Sequence, residues 1–518
     1  MTSVKNPLAE KFNAATHFVD RNVEEGRAHE VAIFYDDQQL TYGQVLDMVN
    51  RAGNLLAQQG VGKQERVLLL LPDSPAFVAC FWGAIKIGAV PIPTNTLLSG
   101  EEYEFVLRDS GAHALVVDAD LLDKVEPYLD RLPDLRTVLV ARKSKPGFKS
   151  LDQLAQGASD QLIAAPTRRD DPAFWLYTSG STGAPKGAIH RHRDMVCCLE
   201  QYAKPVLQIS SQDRTFSASK LFFAYGLGNG LYFPFGVGAS TVLLAERATA
   251  QKVFQMIDRY RPTLFFGVPT LYAAMLQILD AEKHYDLSSV RCAVSAGEAL
   301  PAPLWEKFHH RFGITILDGI GSTEMLHIFI SNRLDDTKPG SSGKLVPGYE
   351  AKITDEQGIE VSPGQIGNLW IRGESAAAGY WNRSDRTQAT FVSGWTMTGD
   401  KYIRDENGHF WYCGRSDYML KVSGLWVSPT EVESALLAHP AVAECALVGA
   451  LDPNGLIKAK AFVVASSSAP PAEQLQSELR EFVKARLADY KVPRWIVFVE
   501  SLPKTATGKI QRFKLREL

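Results

Sequence analysis

Tyr177-Thr178-Ser179-Gly180-Ser181-Thr182-Gly183-Ala184-Pro185-Lys186-Gly187 is the stretch from which the rest of the chain can be interpreted. It contains four aliphatic hydroxyls, three glycines and one lysine. Glycines let backbone N–H groups converge on an anion, hydroxyls add donors, and the lysine adds a positive charge. This chemistry suits a bound phosphate, although Gly, Ser and Thr also make ordinary surface turns. The flanking elements must decide between the two interpretations.

The flanks of this loop predict a strand on each side, over residues 174–177 and 187–190, followed by a helix over residues 193–202. A P-loop needs G-x-x-x-x-G-K-[ST] and a helix that starts at once, so that the helix dipole faces the phosphates. Here Lys186 is followed by Gly187 and then by a strand, which excludes the Walker type of site. His190 and His192, just beyond the loop, are expected to be structural.

Short apolar runs that alternate with helical patterns predict an α/β fold with largely parallel strands. The clearest examples are the strands at residues 66–71, 90–93, 114–118, 137–140, 263–266, 293–295 and 314–317, and the helices at residues 74–87 and 269–281. Ligands of parallel sheets bind outside the carboxyl ends of strands. The ends at Gly297-Glu298 and at Asp318-Gly319 are therefore candidate site positions.

A chain of 518 residues is longer than one hydrophobic core usually serves, which predicts at least two domains. We expect a large N-terminal domain of parallel-rich sheets and helices over residues 1–415, including a small β-rich subdomain at about residues 345–413. Residues 416–518 are expected to form a small C-terminal α+β domain. Its helix at residues 472–487 carries apolar residues at amphipathic spacing.

Composition and charge favour a small-molecule substrate. The formal net charge is -3 and no long Lys/Arg run is present, so neither nucleic acid nor an anionic membrane is an expected partner. The six cysteines show no zinc or redox spacing and are interpreted as reduced thiols. Residues 1–20 lack the apolar core of a secretory signal, which predicts a cytoplasmic location. A monomer and a homodimer both fit the sequence.

Five motifs occur in the order seen in adenylate-forming enzymes, at residues 177–187, 319–324, 394–400, 414–417 and 503–509. The chain resembles an acyl-CoA synthetase from end to end. Residues 220–228 and 319–329 resemble, more narrowly, the benzoate-CoA ligase branch. The resemblance implies that ATP, coenzyme A and an aromatic carboxylic acid are the substrates and that Mg2+ is the activating ion.

In the first half-reaction of the family, a carboxylate attacks the α-phosphorus of ATP and yields an acyl adenylate and pyrophosphate. By resemblance, the ATP-binding residues are Thr178, Ser179, Gly180, Ser181, Thr182, Gly183 and Lys186 at the phosphates, Gly297, Glu298, Asp318 and Gly319 along the adenine, and Asp400 and Arg415 at the ribose. Thr323 and Glu324 belong to a catalytic motif, and Glu324 resembles the Mg2+ ligand. The alternative for Glu324 is a solvated glutamate at a helix start.

Lys509 resembles the catalytic lysine of adenylation, whose ammonium bridges the substrate carboxylate and the α-phosphate. In the second half-reaction the thiol of coenzyme A attacks the adenylate after the small domain rotates about a hinge. Asp417 matches the hinge position, although Tyr418 replaces the usual second aspartate. Ser423, Gly424, Leu425 and Trp426 resemble the loop that lines the coenzyme A tunnel; an ordinary β-turn is the alternative.

The resemblance assigns the acid pocket to Ala224, Tyr225, Ala296, Gly321, His327 and Ile328. Small side chains leave room for a flat ring, and Tyr225 and Ile328 supply apolar walls. His327 is expected either to hydrogen-bond a ring hydroxyl or to be an ordinary packed histidine.

The leading hypothesis is an AMP-forming aryl-CoA ligase that acts on benzoate or a close relative such as hydroxybenzoate or aminobenzoate. A second hypothesis is an adenylation enzyme that delivers its acyl group to a carrier protein, although no carrier-like segment follows Lys509. A third is a nucleotide-binding regulatory protein without catalysis, against which the joint presence of Asp400, Glu324 and Lys509 argues.

Overall fold

The computed structural model of the chain describes residues 8–178, 185–415, 419–422, 425–453, 456–466, 469–504 and 510–516. These residues form a mixed α/β structure with a large, parallel-rich N-terminal part and a smaller C-terminal part, which confirms the predicted fold class.

The described strands are β1 Val31–Tyr35, β2 Gln38–Thr41, β3 Arg66–Leu70, β4 Val90–Pro93, β5 Ala114–Asp118, β6 Thr137–Ala141, β7 Lys149–Ser150, β8 Pro172–Thr178, β9 Lys186–Arg191, β10 Arg214–Ser217, β11 Ser240–Leu243, β12 Leu264–Gly267, β13 Cys292–Ser295, β14 Ile316–Gly321, β15 Ile328–Ser331, β16 Lys344–Leu345, β17 Glu350–Thr354, β18 Gly367–Arg372, β19 Phe391–Val392, β20 Trp395–Arg404, β21 Phe410–Arg415, β22 Leu420–Val422, β23 Leu425–Val427, β24 Val442–Leu451, β25 Ile457–Ala465 and β26 Trp495–Phe498.

The described α-helices are α1 Arg21–Glu24, α2 Tyr42–Gln58, α3 Pro75–Lys86, α4 Gly100–Ser110, α5 Leu122–Val125, α6 Leu151–Gly157, α7 His192–Cys198, α8 Ala224–Leu227, α9 Phe233–Val237, α10 Ala250–Tyr260, α11 Pro269–Leu276, α12 Ala281–His284, α13 Ala302–Phe312, α14 Ser384–Thr390, α15 Pro429–Leu437, α16 Ala472–Lys484 and α17 Arg512–Arg516. Single π-helical turns occur at Thr16–Asp20, Leu199–Ala203 and Gly228–Tyr232, and 3-10 turns at Glu126–Arg131 and Asp489–Lys491.

The largest sheet of the described chain has the strand order β16-β15-β14-β13-β12-β10-β11-β1-β2. Its central strands, from β14 to β1, are parallel; β15 and β16 at one end and β2 at the other add antiparallel strands. A second sheet, β4-β3-β5-β6-β7, is parallel throughout. Both sheets therefore present carboxyl ends of strands at which a ligand can bind.

Helices α2 and α3 pack between these two sheets. They approach closely at Gly53 and Gly83, where a Cβ atom built on Gly83 would lie 2.7 Å from the Gly53 nitrogen. Thr41 caps α2 and Ser74 caps α3 by accepting a backbone N–H, so each helix begins at a defined residue.

The predicted strand boundary before Asp318 is wrong by several residues. The sequence predicts that this strand ends at residue 317, whereas β14 continues to Gly321. It continues because β15 returns antiparallel and pairs Gly319 with Ser331 and Ile320 with Ile330. A hairpin contact distant from the apolar run thus extends the strand.

The helix predicted over residues 269–281 is also interrupted. Helix α11 ends at Leu276, and α12 begins at Ala281. Asp280 adopts a left-handed φ of 52°, which breaks the helical path between them.

Smaller antiparallel units follow. Strands β8 and β9 form a hairpin, and β17-β18-β20-β19, with β21 beside β20, form a third sheet. In the C-terminal part, β24-β25-β26 pack against α15 and α16. Leu475, Leu479 and Val483 are buried there, on the face that the amphipathic spacing of α16 predicted.

All six cysteines of the sequence lie among the described residues, and each is buried and free. None of the described helices combines the length and the apolar character needed to cross a bilayer.

Candidate active site

The predicted phosphate loop joins the two strands of the β8–β9 hairpin. Thr178, at the end of β8, is in register with Lys186, at the start of β9. Ser179, Gly180, Ser181, Thr182 and Gly183 lie outside the described residues. The strand that follows Lys186 agrees with the exclusion of a Walker-type helix.

The hairpin is anchored to α4 by Tyr177. Its hydroxyl donates to Asp109 Oδ2 at 2.7 Å, and Arg383 Nη2 donates to Asp109 Oδ1 at 2.7 Å. The indole of Trp381 donates to the Asp109 carbonyl at 2.9 Å. Because α4 packs against the smaller parallel sheet, this cluster fixes the start of the loop relative to that sheet.

Thr323 and Glu324 lie in the turn between β14 and β15, facing the hairpin. His190 Nε2 donates to the Thr323 carbonyl at 2.8 Å, and His190 Nδ1 lies 3.2 Å from Asp194 Oδ2. His190 is therefore structural, as expected, but its bond links β9 to the Thr323–Glu324 turn. The sequence contained a signal for this contact. Successive side chains of a strand point to opposite faces, so Lys186 and His190, four positions apart in β9, lie on the same face.

The Glu324 carboxylate accepts a hydrogen bond at Oε1 from the Tyr380 hydroxyl, at 2.6 Å. The Lys186 ammonium lies 4.3 Å from the centroid of the Tyr380 ring. Burial lowers the pKa of Lys186 below its usual value, and the nearby Glu324 charge acts in the opposite direction. Two charged residues that the sequence predicted for one site are thus close in space, and Tyr380, which the sequence analysis missed, lies between them.

The residues predicted to bind adenine lie just after β13 and in the middle of β14. These two strands are parallel neighbours, with Ser295 opposite Asp318, so Gly297 and Glu298 follow β13 beside Asp318 and Gly319. Asp318 is buried, and this burial raises the pKa of its carboxyl well above the usual range. Gly297 has a φ of +92°, a conformation that favours glycine.

Asp400 and Arg415 face each other on β20 and β21. The Arg415 guanidinium lies 3.3 Å from Asp400 Oδ1 and donates to the Thr398 carbonyl at 2.9 Å. The sequence motifs that carry these residues are separated along the chain, and the antiparallel pairing brings them together. The pair offers a carboxylate acceptor and a cation side by side, which suits a sugar phosphate.

The predicted acid-pocket residues surround His327. Its ring centroid is 5.7 Å from that of Tyr225, and its Nε2 lies 3.1 Å from Asn229 Oδ1. Burial lowers the pKa of His327 to about 3, so the imidazole is neutral. The Tyr225 hydroxyl lies 3.1 Å from the Val294 carbonyl. His327 packs among aromatic rings, and Asn229, its hydrogen-bond partner, was missed by the sequence analysis.

Small residues make close approaches around this pocket. A Cβ atom built on Gly321 would lie 2.5 Å from the His327 carbonyl oxygen, and one on Gly319 would lie 3.1 Å from Ile328 Cγ2. Ala296 is buried at the end of β13, and Ala224 begins α8 together with Tyr225. The structure therefore brings the predicted acid-binding residues to the same edge of the large sheet.

Much of the predicted C-terminal machinery lies outside the described residues, namely Asp417, Ser423, Gly424 and Lys509. Leu425 and Trp426 lie in β23, which pairs with β22. The segment that contains Lys509 is flanked by a bridge between Lys504 and Ile510. The Ile510 N–H donates to Glu298 Oε1 at 3.3 Å, so the end of this segment contacts the predicted nucleotide site.

Arg512, two residues beyond Ile510, is fixed by a partly buried ion pair. Arg512 Nη2 lies 2.8 Å from Glu433 Oε2 on α15, and the Glu433 charge raises the pKa of Arg512. Helix α17 is therefore held to the rest of the C-terminal part, which fixes where the Lys509 segment ends.

The donor set around Glu324 fits Mg2+ that arrives with substrate phosphates. Among the described residues no group of three or more His, Cys, Asp or Glu side chains could hold a metal ion by itself. Mg2+ commonly uses one or two protein carboxylates and completes its shell with phosphate oxygens and water. The single Glu324 carboxylate, opposite Lys186 and the phosphate-loop hairpin, is consistent with that mode.

The chain has a large parallel α/β part joined to a small α+β part, and its candidate nucleotide-binding residues lie near the carboxyl ends of strands. This is the organisation expected of an adenylate-forming enzyme. Residues 19–381 match the family described as AMP-binding enzyme, and residues 431–509 match the AMP-binding enzyme C-terminal domain. The chain belongs to the AMP-binding enzyme family.

Characterised relatives extend along the whole chain. The chain is 50% identical over 511 residues to benzoate–CoA ligase of Thauera aromatica, covering 98% of this chain and 96% of the relative. It is 43% identical over 510 residues to 4-hydroxybenzoate–CoA/benzoate–CoA ligase of Rhodopseudomonas palustris, covering 98% and 94%.

Solved structures of similar proteins agree with this assignment. An anthranilate CoA ligase, AuaEII, in complex with anthranoyl-AMP has a TM-score of 0.95 at 44% identity, covering 98% of each chain. A benzoate CoA ligase from Burkholderia xenovorans LB400 has a TM-score of 0.91 at 46% identity, covering 98% of this chain and 100% of that one. These similarities confirm the family resemblance inferred from the motifs.

Proposed function

We propose that the protein is an ATP-dependent, AMP-forming aryl-CoA ligase that converts benzoate, ATP and coenzyme A into benzoyl-CoA, AMP and pyrophosphate. The observation that carries this proposal is 50% identity, over 98% of the chain, to a benzoate–CoA ligase. The buried, neutral His327 beside Tyr225 supports it, because an apolar, aromatic-lined site suits a flat ring.

In the first half-reaction, one benzoate oxygen attacks the α-phosphorus of ATP and the bond to pyrophosphate breaks. We assign Lys186 and the hairpin loop to the departing phosphates, and Asp400 with Arg415 to the ribose. Mg2+, held by Glu324 and the phosphates, would neutralise phosphate charge. Lys509 is assigned to the pentavalent α-phosphate and the attacking carboxylate, where a preorganised cation stabilises developing charge.

In the second half-reaction, the sulfur of coenzyme A attacks the carbonyl carbon of the adenylate and AMP departs. We propose that the part after residue 415 rotates about Asp417, so that Lys509 leaves and residues 423–426 approach the acyl group. The Ile510–Glu298 hydrogen bond supports the assignment of the described arrangement to the first half-reaction, because it holds Ile510, the residue after Lys509, against the N-terminal part. On this proposal residues 1–415 and 416–518 are the two domains.

The test is a reaction of purified protein with benzoate, ATP, MgCl2 and coenzyme A, followed by mass spectrometry and a pyrophosphate assay. We expect AMP, pyrophosphate and benzoyl-CoA in equal amounts. ADP and phosphate as products, or an acyl adenylate that never transfers to coenzyme A, would contradict the proposal. The second of these outcomes would favour delivery to a carrier protein.

The Lys509→Ala variant tests the proposed division between the half-reactions. We expect a loss of orders of magnitude in benzoyl adenylate formation and a much smaller loss in thioesterification of added benzoyl adenylate. Equal losses in both steps would contradict the assignment of Lys509 to adenylation.

A second candidate function, hydroxybenzoate– or aminobenzoate–CoA ligase, is favoured by one observation. His327 Nδ1 is buried and has no hydrogen-bond partner among the described residues. In the tautomer protonated at Nε2, which would donate to Asn229 Oδ1, Nδ1 is an acceptor to which a ring hydroxyl or amino group could donate. Catalytic efficiencies for benzoate and its 2-, 3- and 4-hydroxy and amino derivatives would separate the two candidates.

We propose a cytoplasmic location. The free state of the six cysteines supports it, because disulfides are rare in that compartment.

A further inference from the structure

Tyr380 connects the two oppositely charged side chains of the proposed phosphate site. Its hydroxyl donates to Glu324 Oε1 at 2.6 Å, and the face of its ring lies 4.3 Å from Lys186 Nζ. The side chain is 6% exposed. Burial, the Glu324 charge and the hydrogen bond to Glu324 all raise the pKa of Tyr380, so its hydroxyl keeps the proton that it donates.

The backbone around Tyr380 is fixed to both neighbours. The Ala377 N–H donates to the Glu324 carbonyl at 2.7 Å, and the Trp381 N–H donates to the Gly187 carbonyl at 2.8 Å. The Tyr380 N–H donates to Thr387 Oγ1 at 2.9 Å. The Tyr380 ring therefore has little freedom to leave the gap between β9 and the Glu324 turn.

From this arrangement we propose that Tyr380 is a positioning residue that keeps Glu324 and Lys186 apart and orients the Glu324 carboxylate toward a divalent cation. The proposal rests on the proposed function, because it takes Glu324 as the Mg2+ ligand and Lys186 as a phosphate ligand. Without the ring, the ammonium and the carboxylate could pair directly, and each would then be less available to the nucleotide. With the ring in place, Lys186 meets an aromatic face and remains free to approach a phosphate.

The hydroxyl and the ring have separable effects. The hydroxyl occupies Oε1, while Glu324 Oε2 has no hydrogen-bond donor among the described residues. A donor that fixes one oxygen of a ligating carboxylate sets the direction of the other, and removal of such a partner typically costs 10- to 100-fold in metal affinity. Tyr380→Phe removes only the hydroxyl and retains the ring beside Lys186.

The experiment measures nucleotide binding without turnover. Calorimetric titrations with α,β-methylene-ATP, which cannot release pyrophosphate, are run with and without Mn2+, and AMP is titrated without metal. For Tyr380→Phe we expect the Mn2+-dependent gain in α,β-methylene-ATP affinity to fall about tenfold, with AMP affinity within about twofold of the wild type. Tyr103→Phe is the matched control, because it removes a tyrosine hydroxyl that donates to the Asn95 carbonyl, away from the site.

The Glu324→Gln variant distinguishes a failure of the Tyr380 proposal from a failure of the assignment of Glu324 as the metal ligand. If Glu324→Gln abolishes the Mn2+-dependent gain while Tyr380→Phe retains it in full, the role of Tyr380 is refuted and the metal assignment stands. If Glu324→Gln also retains the gain, the assignment of Glu324 fails and the positioning role fails with it. A parallel loss of AMP affinity in Tyr380→Phe would equally overturn the inference, since it would indicate general damage. Formation of benzoyl-CoA by the wild type tests the proposed function independently of all three results.

Discussion

Gly228 is the residue at which the geometry of the proposed acid pocket is most directly testable. It begins the π-helical turn Gly228–Tyr232 and is buried. A Cβ atom built there would lie 2.5 Å from Cδ2 and 2.8 Å from Nε2 of His327, and 2.9 Å from the Tyr232 hydroxyl. Real Cβ contacts are almost never this short, so Gly228→Ala must displace the histidine.

His327 has little room to move. Its ring centroid lies 4.5 Å from that of Phe233 and 5.3 Å from that of Tyr202. Overpacking of this kind costs about 1–3 kcal/mol. Alanine in place of glycine recovers up to about 1 kcal/mol of helix propensity, and a disturbed His327–Asn229 hydrogen bond costs about 1 kcal/mol. We therefore expect the free energy of unfolding to fall by about 1–3 kcal/mol.

The effect on catalysis should be specific to the acid. Because His327 packs against Tyr225, its displacement should alter the proposed ring pocket but not the Asp400 region. We expect kcat/KM for benzoate to fall by about 10-fold or more, equivalent to about 1.4 kcal/mol of transition-state binding, while KM for ATP changes less than about twofold. Urea denaturation and steady-state kinetics measure the two effects.

Gly230→Ala is the matched control, two residues along the same turn. A Cβ atom there would lie 3.1 Å from Leu221 Cδ2, the end of a flexible side chain. We expect a change in stability below about 1 kcal/mol and nearly normal kinetics for benzoate. Wild-type benzoate kinetics in Gly228→Ala, or equal damage in Gly230→Ala, would refute the placement of the pocket around His327.

Three further predictions follow from the site. Asp400→Asn should raise KM for ATP about tenfold, with a smaller change in KM for benzoate, because the proposed charged acceptor for the ribose is lost. If the variant and the wild type have equal KM values for ATP, Asp400 does not belong to the nucleotide site. Glu298→Ala should slow adenylation about fivefold relative to thioesterification, since the acceptor for the Ile510 N–H is lost. Glu298→Gln keeps an acceptor oxygen and should be nearly normal. Identical rates for Glu298→Ala and wild type would argue against the contact. Burial lowers the pKa of His17 and His192 to about 4 and that of His327 to about 3, below their usual 6.5. Their contribution to stability is therefore fully present above pH 6.5 and is lost as pH falls toward 4, by up to about 1.4 kcal/mol per pH unit for each histidine; equal urea midpoints at pH 7 and pH 5 would contradict this.

The local sequence patterns predicted the alternating elements and the residues that carry obvious chemistry. Lys186, Glu324 and Asp400 stand in motifs whose composition is recognisable without a structure. Tyr380 and Asn229 were missed because a tyrosine after glycine and an asparagine between glycines carry no local signal. Their roles depend on contacts with residues 56 and 98 positions away in the sequence.

The extent of β14 illustrates the same limit. Its apolar run ends at Leu317, and local periodicity therefore ends the strand there. The continuation to Gly321 depends on the return of β15, which no local pattern of residues 314–321 reveals. Because glycines 319 and 321 lie within this extension, Ile328 and His327 can approach them closely, and the proposed acid pocket depends on that contact.

The burial of every cysteine has a chemical consequence for an enzyme of the proposed type. An acyl adenylate is a mixed anhydride that any accessible thiolate would attack. Burial raises the pKa of Cys80, Cys198, Cys292 and Cys413 to about 12, and raises the pKa of Cys197 and Cys445 further. These thiols remain protonated and out of reach, so none of them competes with coenzyme A for the activated acid.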